Sequence, residues 1–96
     1  MEITTTQEGT TTTIAVAGWI DTSTAPQLAA AVSEVDPSCS QLIIDLEGLE
    51  YISSAGLRQL VAAHKKMSGA LTITDVSSAV LDILHMAGLD KRLNIK

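Results

Sequence analysis

The stretch Leu42–Leu60, LIIDLEGLEYISSAGLRQL, contains the change of hydrophobic period that decides the fold. It opens on an apolar run, Leu42–Leu46, that is typical of a strand covered on both faces. Between that run and the next apolar pattern, Ser53 and Ser54 stand where a helix prefers a capping hydroxyl. The second pattern has helical spacing and comprises Leu57, Leu60, Val61, His64 and Met67. We therefore predict a buried strand, a short connection and a serine-capped helix whose first turn lies at the sheet edge.

The residues before this stretch predict a hairpin and a first helix. Thr4–Thr6 and Thr10–Gly18 are rich in β-branched residues and flank a turn at Gln7-Glu8-Gly9, which indicates two antiparallel strands. Thr24 then precedes Pro26, a common start for a helix. An apolar stripe follows the proline and ends before Pro37.

The residues after this stretch predict two more strands and a third helix. Ser68-Gly69 ends the second helix, and Ala70–Thr74 reads as a strand. Ser77 or Ser78 caps the third helix, which we expect to end in a Schellman motif at Gly88 and Leu89. A last short strand lies near the C-terminus, at Leu93-Asn94-Ile95.

The predicted order is β-β-α-β-α-β-α-β in a single α/β domain spanning residues 1–96. Short connections between strands and helices indicate a mostly parallel sheet with right-handed crossovers, to which the N-terminal hairpin adds an antiparallel strand. Three helices are too few for two faces, so we expect them mainly on one side. Trp19 and Tyr51 are the sole large aromatics, so the core must be aliphatic. We expect these two side chains to help cover the other side of the sheet or to serve at a contact surface.

Composition and charge exclude several classes of function. No apolar run approaches the roughly 20 residues that cross a bilayer, so membrane insertion is not expected. The polar start MEITTTQEGT is no signal peptide, and the single Cys39 fits a reducing cytoplasm, so we expect a cytoplasmic protein. Every Lys and Arg lies at or after Arg58, while Met1–Leu57 holds eight of the eleven acidic residues. Nucleic acid is therefore not an expected partner; the acidic surface indicates a partner with basic contacts, or simply solubility.

No residue pattern predicts an enzyme, a cofactor or a metal. His64 and His85 stand beside no predicted nucleophile and are interpreted as structural or surface histidines. Asp45, Glu47 and Glu50 follow the central strand, but a solvated acidic loop explains them better than a magnesium site. The glycines match neither a Walker loop nor a dinucleotide fingerprint. A hydroxyl at the position of Ser54 is usually only a helix cap. A phosphate on it would add about −1.5 to −2 charge.

Three segments together resemble the STAS domain of bacterial anti-sigma factor antagonists: GWIDTSTAPQL, DLEGLEYISSAGLRQL and SSAVLDILHMAGLDKRL. The resemblance covers nearly the whole chain, and the segments come in the family's order. It implies that the protein binds an anti-sigma factor that is also a serine kinase, and so frees a sigma factor. Phosphorylation by that kinase would end the binding, and a serine phosphatase would restore it.

The resemblance also implies which residues form the site. In the family's D-S-[ST]-G pattern, aligned on Gly56, the phosphorylated serine falls on Ser54, with Ser53 as the alternative acceptor. The chain departs from the pattern, because Ser53 replaces the family Asp and Ala55 replaces the second hydroxyl residue. The expected partner surface comprises Asp21, Thr22, Ser23, Tyr51, Ser53, Gly56, Leu57 and Arg58.

Two other functions stay open from the sequence. The first is a STAS subunit that docks permanently, without phosphorylation, to a transporter ATPase or a sensory assembly. The second is a receiver that accepts phosphate on Asp45, but no acidic pair and no late lysine complete such a site. We expect a monomer or a weak dimer.

Overall fold

A computed structural model describes the whole chain, Met1–Lys96. It contains nine elements in the order β-β-α-β-β-α-β-α-β, one strand more than the sequence predicted. The bounds are β1 Glu2–Glu8, β2 Thr11–Ile20, α1 Ala25–Ser33, β3 Gln41–Asp45, β4 Leu49–Ile52, α2 Ser54–Lys66, β5 Leu71–Thr74, α3 Ser78–Met86 and β6 Asn94–Ile95.

The six strands form one mixed sheet. Its order is β1-β2-β3-β5-β6, with β4 paired to β2 off this path. β1 and β2 form the predicted antiparallel hairpin, and every other pair is parallel. The predicted fold class, a mostly parallel α/β sheet with an N-terminal hairpin, is therefore confirmed.

The added strand β4 changes how the chain reaches the serines. The first half of β2 pairs with β3, and beyond a register shift between Gly18 and Trp19 its second half pairs with β4. The chain turns into β4 at Gly48, where a Cβ would lie 2.8 Å from the Cβ of Ala17. Our prediction of a plain connection before the helix was wrong, since this segment contains β4. The strand is hard to recognise from sequence because it has four residues and pairs with a strand about 30 positions earlier.

One face of the sheet carries the core. Burial alternates along β2, with Ile14 and Val16 buried and their neighbours half exposed. The helices cover that same face, each inserting leucine or valine side chains such as Leu28, Leu60 and Leu84. Replacing one of these leucines by alanine is expected to lower the free energy of unfolding by about 2–5 kcal/mol. The core of 20 buried residues contains no aromatic side chain, which confirms the aliphatic core predicted from composition.

The helix ends obey the predicted capping rules with one shift. α3 ends in the expected Schellman motif, in which Gly88 has φ +74° and the Leu89 amide donates to the Leu84 carbonyl at 2.9 Å. At the end of α2 the left-handed backbone begins one residue earlier than we expected: Ser68 has φ 52°, and the predicted Gly69 follows with φ +88°.

Candidate functional site

Ser53 and Ser54 form the start of α2, here called the serine turn, and they have different roles in the structure. Ser53 is the N-cap: its hydroxyl accepts a hydrogen bond from the Gly56 amide at 3.3 Å. Its own amide donates to the Ile20 carbonyl at the end of β2, at 2.7 Å. Ser54 is the first helical residue, and its side chain is exposed. Ser53 thus holds the turn to the sheet, whereas Ser54 presents a hydroxyl to solvent.

Gly56 allows α2 to begin in contact with the sheet. A Cβ at this position would lie 2.6 Å from Ile20 Cγ2 and 2.6 Å from Ile52 Cγ1. Both isoleucines are buried, so they have little room to move away. The residue faces the interior, and its part in the site is to let the serine turn lie directly over the ends of β2 and β4.

A second turn lies beside the serine turn and is centred on Asp21. Asp21 follows Ile20 directly, so the hydrogen bond between Ser53 and Ile20 brings the two turns together. Its Oδ1 accepts hydrogen bonds from the Ser23 hydroxyl at 2.7 Å and from the amides of Ser23 and Thr24 at 2.9 and 3.0 Å. These donors, the Ser23 hydroxyl first, hold the pKa of Asp21 below its ordinary value.

The Asp21 turn also leads into α1, because the Asp21 carbonyl accepts a hydrogen bond from the amide of Ala25, the first helical residue, at 2.8 Å. Thr24 occupies the N-cap position, but its side chain makes no capping hydrogen bond to the helix. Its Oγ1 instead accepts from the Asp21 amide at 2.9 Å. Thr22 and Ser23 remain exposed next to it.

An aromatic pair lies on the strands that lead into these two turns. Trp19 of β2 and Tyr51 of β4 are register partners, with ring centroids 5.2 Å apart and ring planes inclined by 43°. Trp19 is 57% exposed and Tyr51 39% exposed. Exposed aromatic side chains that are already ordered by a neighbour are common anchors of protein interfaces.

Comparison with known proteins identifies the family of this chain. The family model described as "Mlab, STAS domain" matches residues 3–95. The anti-sigma-F factor antagonist RsfB of Mycobacterium tuberculosis is 32% identical over 85 residues, which cover 85% of this chain and 70% of RsfB. The chain belongs to the STAS domain family.

Solved structures carry the same fold. An anti-sigma factor antagonist from Mycobacterium paratuberculosis superposes on this STAS domain with a TM-score of 0.88 and 28% identity, covering 98% of this chain and 83% of the other. The Bacillus cell fate determinant SpoIIAA in its phosphorylated form has a TM-score of 0.75 and 16% identity, with 99% and 91% covered. At that identity the second likeness concerns the fold alone.

The STAS domain has two further ionisable clusters, and neither includes a residue of the two turns. The carboxylates of Asp45, Glu47 and Asp75 come within 4.8 Å of one another at an exposed corner. Asp75, rather than the Glu50 that we had grouped with them, completes the cluster. His85 Nδ1 lies 2.7 Å from Asp90 Oδ2, and this contact raises the pKa of the exposed histidine. No helix of the chain is long and apolar enough to span a membrane.

The expected partner residues thus fall into distinct positions around the serine turn. Asp21, Thr22 and Ser23 flank it on one side, and Tyr51 precedes it on β4. Leu57 and Arg58 follow it on α2, the first half-buried and the second exposed. Trp19 was not among the expected partner residues, although we named it with Tyr51 as a candidate for a contact surface. Its pairing with Tyr51 depends on β4, which the sequence did not reveal.

Proposed function

We propose that this STAS domain is an anti-sigma factor antagonist that phosphorylation of Ser54 switches off. In the unmodified state it binds an anti-sigma factor that is also a serine kinase, and so releases a sigma factor. The observation that carries the proposal is the division of roles between two adjacent serines. Ser53 holds the helix start and bonds it to the end of β2 next to the Asp21 turn, while Ser54 stays exposed.

The geometry is compatible with a phosphate that changes the surface and leaves the fold intact. A phosphate on Ser54 would sit at the positive end of the α2 dipole, close to helix amides that lack partners within the helix. The same charge on a partner's contact surface must lose its water, and it opposes any acidic or apolar contact there. One modification can therefore be tolerated by the folded domain and still end binding.

The binding surface that we propose surrounds this serine. Asp21, Thr22 and Ser23 contribute a rigid acidic turn, and Tyr51 contributes an aromatic edge. Leu57 and Arg58 extend the surface along α2, while Ser53 and Gly56 set its backbone. Ser53 is the less suitable phosphoacceptor, because its hydroxyl is half-buried and already bonded to the Gly56 amide.

The role of the relatives supports the same assignment. RsfB is named an anti-sigma-F factor antagonist, and this chain matches 70% of it. For this STAS domain we infer an anti-sigma factor kinase as the partner and a serine phosphatase as the enzyme that resets it, in the cytoplasm. The domain itself performs no catalysis in this scheme.

One departure from the family pattern favours a second candidate. Ser53 stands where the family carries an aspartate, which removes one negative charge next to the acceptor. A domain without kinase recognition would dock permanently, as a subunit of a transporter ATPase or a sensory assembly. ATP would then have no effect on the complex.

Binding to a purified anti-sigma factor kinase of the host, with and without Mg-ATP, tests the proposal. Wild type should bind and be released by ATP, whereas Ser54→Ala should bind and resist release. Ser78→Ala, a change at the first position of α3, is the matched control and should behave as wild type. Release of Ser54→Ala by ATP would place the switch elsewhere, and failure of ATP to release wild type would favour permanent docking.

Mass spectrometry can place the phosphate directly. No basic residue precedes Arg58, so trypsin alone leaves Met1–Arg58 as one peptide. Combined cleavage after Glu50 and Arg58 yields Tyr51–Arg58, in which the only serines are Ser53 and Ser54. Phosphate on Ser54 is expected; phosphate confined to Ser53 would move the switch by one residue.

A further inference from the structure

An open groove runs along α2 from its first turn, between this helix and the end of α3. Its apolar walls are Leu57 and Val61 of α2 on one side and Ala87 and Leu89, after α3, on the other. The groove encloses about 440 Å³. α2 packs against α1, and α3 packs against β4, so neither contact covers this face. Leu57 and Val61 are only half-buried and keep apolar surface in contact with water.

The charge of the groove is opposite to that of the protein. The chain has a net charge of −5, yet the groove is lined by Arg58 and Lys65 and by no acidic residue. Both cations are exposed, and neither belongs to an ion pair. They stand seven residues apart on α2, which is about 10.5 Å along the axis and nearly the same side of the helix.

The apolar walls and the two cations together indicate what kind of segment the groove binds. An apolar groove accepts the apolar face of an amphipathic helix laid into it. Two cations separated by two helical turns match two carboxylates with the same separation on that helix. A basic or purely apolar segment would leave the cations desolvated and unpaired, which is costly.

We propose that the α2–α3 groove binds an acidic amphipathic helix of the anti-sigma factor, with carboxylates two turns apart on Arg58 and Lys65. This inference rests on the proposed function and adds the part of the partner that is recognised. The Asp21 turn and the aromatic pair would then contact other parts of the same partner.

The position of Ser54 links the groove to the switch. Ser54 lines the same groove and precedes Arg58 by four residues, so the two side chains are neighbours on the helix surface. A phosphate on Ser54 would pair with Arg58 and take it from the partner's carboxylate. It would also repel that carboxylate, so the groove accounts for release without a change of fold.

Charge reversal at the two cations tests the groove. We would measure the affinity of the purified host anti-sigma factor for Arg58→Glu, for Lys65→Glu and for the double variant. Each single change should weaken binding by about tenfold, and the double change by more, because like charges then face each other across the interface. Arg92→Glu, at an exposed position outside the groove, is the matched control and should bind within about twofold of wild type. Salt should weaken wild type more than the double variant.

Photocrosslinking identifies the occupant. A photoreactive phenylalanine analogue replaces Val61 in the groove, and the same analogue replaces Thr13 on the uncovered sheet face as the control. Crosslinks from position 61 to an acidic amphipathic helix of the anti-sigma factor are expected, and few or none from position 13. Crosslinks to a basic or extended segment would overturn the inference.

The outcomes separate the two proposals. If wild type binds the anti-sigma factor but the double charge reversal binds equally well, the groove inference fails and the proposed function stands. If wild type does not bind any anti-sigma factor of the host, both fail together.

Discussion

The starts of α2 and α3 have nearly the same sequence and different surroundings. α2 begins with Ser53-Ser54-Ala55-Gly56-Leu57 and α3 with Ser77-Ser78-Ala79-Val80-Leu81. In both, the first serine caps the helix by accepting from the amide three residues later, at 3.3 and 3.2 Å. In both, the second serine is exposed at the first helical position.

The difference lies in what each start touches. The α2 start is bonded to β2 through Ile20, lies beside the Asp21 turn and borders the basic groove, and it follows the strand that carries Tyr51. The α3 start has a buried valine, Val80, where α2 has Gly56. A hydroxyl at a helix start is therefore not a site by itself, since capping and dipole are the same in both. The neighbours brought in by the fold make Ser54 a candidate and Ser78 its natural control.

The largest effect on stability is expected from placing at position 56 of α2 the valine that α3 carries at position 80. Gly56→Val inserts a branched side chain where even a Cβ lies 2.6 Å from Ile20 and Ile52. Overpacking of this kind is expected to lower the free energy of unfolding by about 3 kcal/mol, although Val has the better helix propensity. Urea unfolding followed by circular dichroism measures the loss. An unchanged midpoint would show that the helix start does not press on the two isoleucines.

The next effect concerns the phosphate and separates binding from stability. Ser54→Asp should weaken binding of the anti-sigma factor roughly tenfold, about 1.4 kcal/mol. Ser78→Asp should leave binding unchanged. Both variants place a carboxylate at a helix N-terminus, so each should gain about 0.3–1 kcal/mol of stability. Weaker binding by a more stable protein would exclude unfolding as the cause, and equal binding by the two variants would refute the switch.

The two N-cap serines should contribute nearly equally to the stability of the fold. Ser53→Ala and Ser77→Ala each remove one side-chain acceptor from a helix start and should each lower the free energy of unfolding by about 1 kcal/mol. Ser53→Ala should still accept phosphate on Ser54, which kinase labelling followed by peptide mapping can check. Loss of labelling with the fold intact would show that Ser53 takes part in recognition as well as capping.

Local signals explain what could be predicted from the sequence. Helix period, serine caps and the glycine after α3 act within a few residues, so the helices, the hairpin and the Schellman motif were identified. β4 was missed because LEYI is short and its partner, the end of β2, is distant in sequence and offset by a bulge. The Trp19–Tyr51 pair and the contact between the two turns follow from β4, so they were missed as a unit.

The division between Ser53 and Ser54 was likewise open from sequence. Either hydroxyl suits a cap, and only the hydrogen bond to Gly56 decides between them. The groove depends on how α2 and the end of α3 lie relative to each other, which no local pattern records. Candidate residues could thus be named from the sequence where a family motif covers them, but not where strand pairing or helix packing creates the contact.

The smallest effect is expected at the other ends of the same two helices, where each carries a histidine in its last turn: His64 in α2 and His85 in α3. The hydrogen bond and charge of Asp90 raise the pKa of His85, so the pair stabilises the fold below the unfolded pKa of His, about 6.5. That stability is lost as the pH rises through the raised pKa of the folded state. At the acid end, the lowered pKa of Asp90 keeps the contribution until the pH falls below the usual range of Asp.

The melting temperature of wild type should therefore exceed that of His85→Gln at pH 5.5, and the difference should shrink by pH 8.5. His64→Gln serves as the control for losing a histidine at a helix end; an equal pH dependence in both variants would assign the effect to the helix dipole rather than to Asp90.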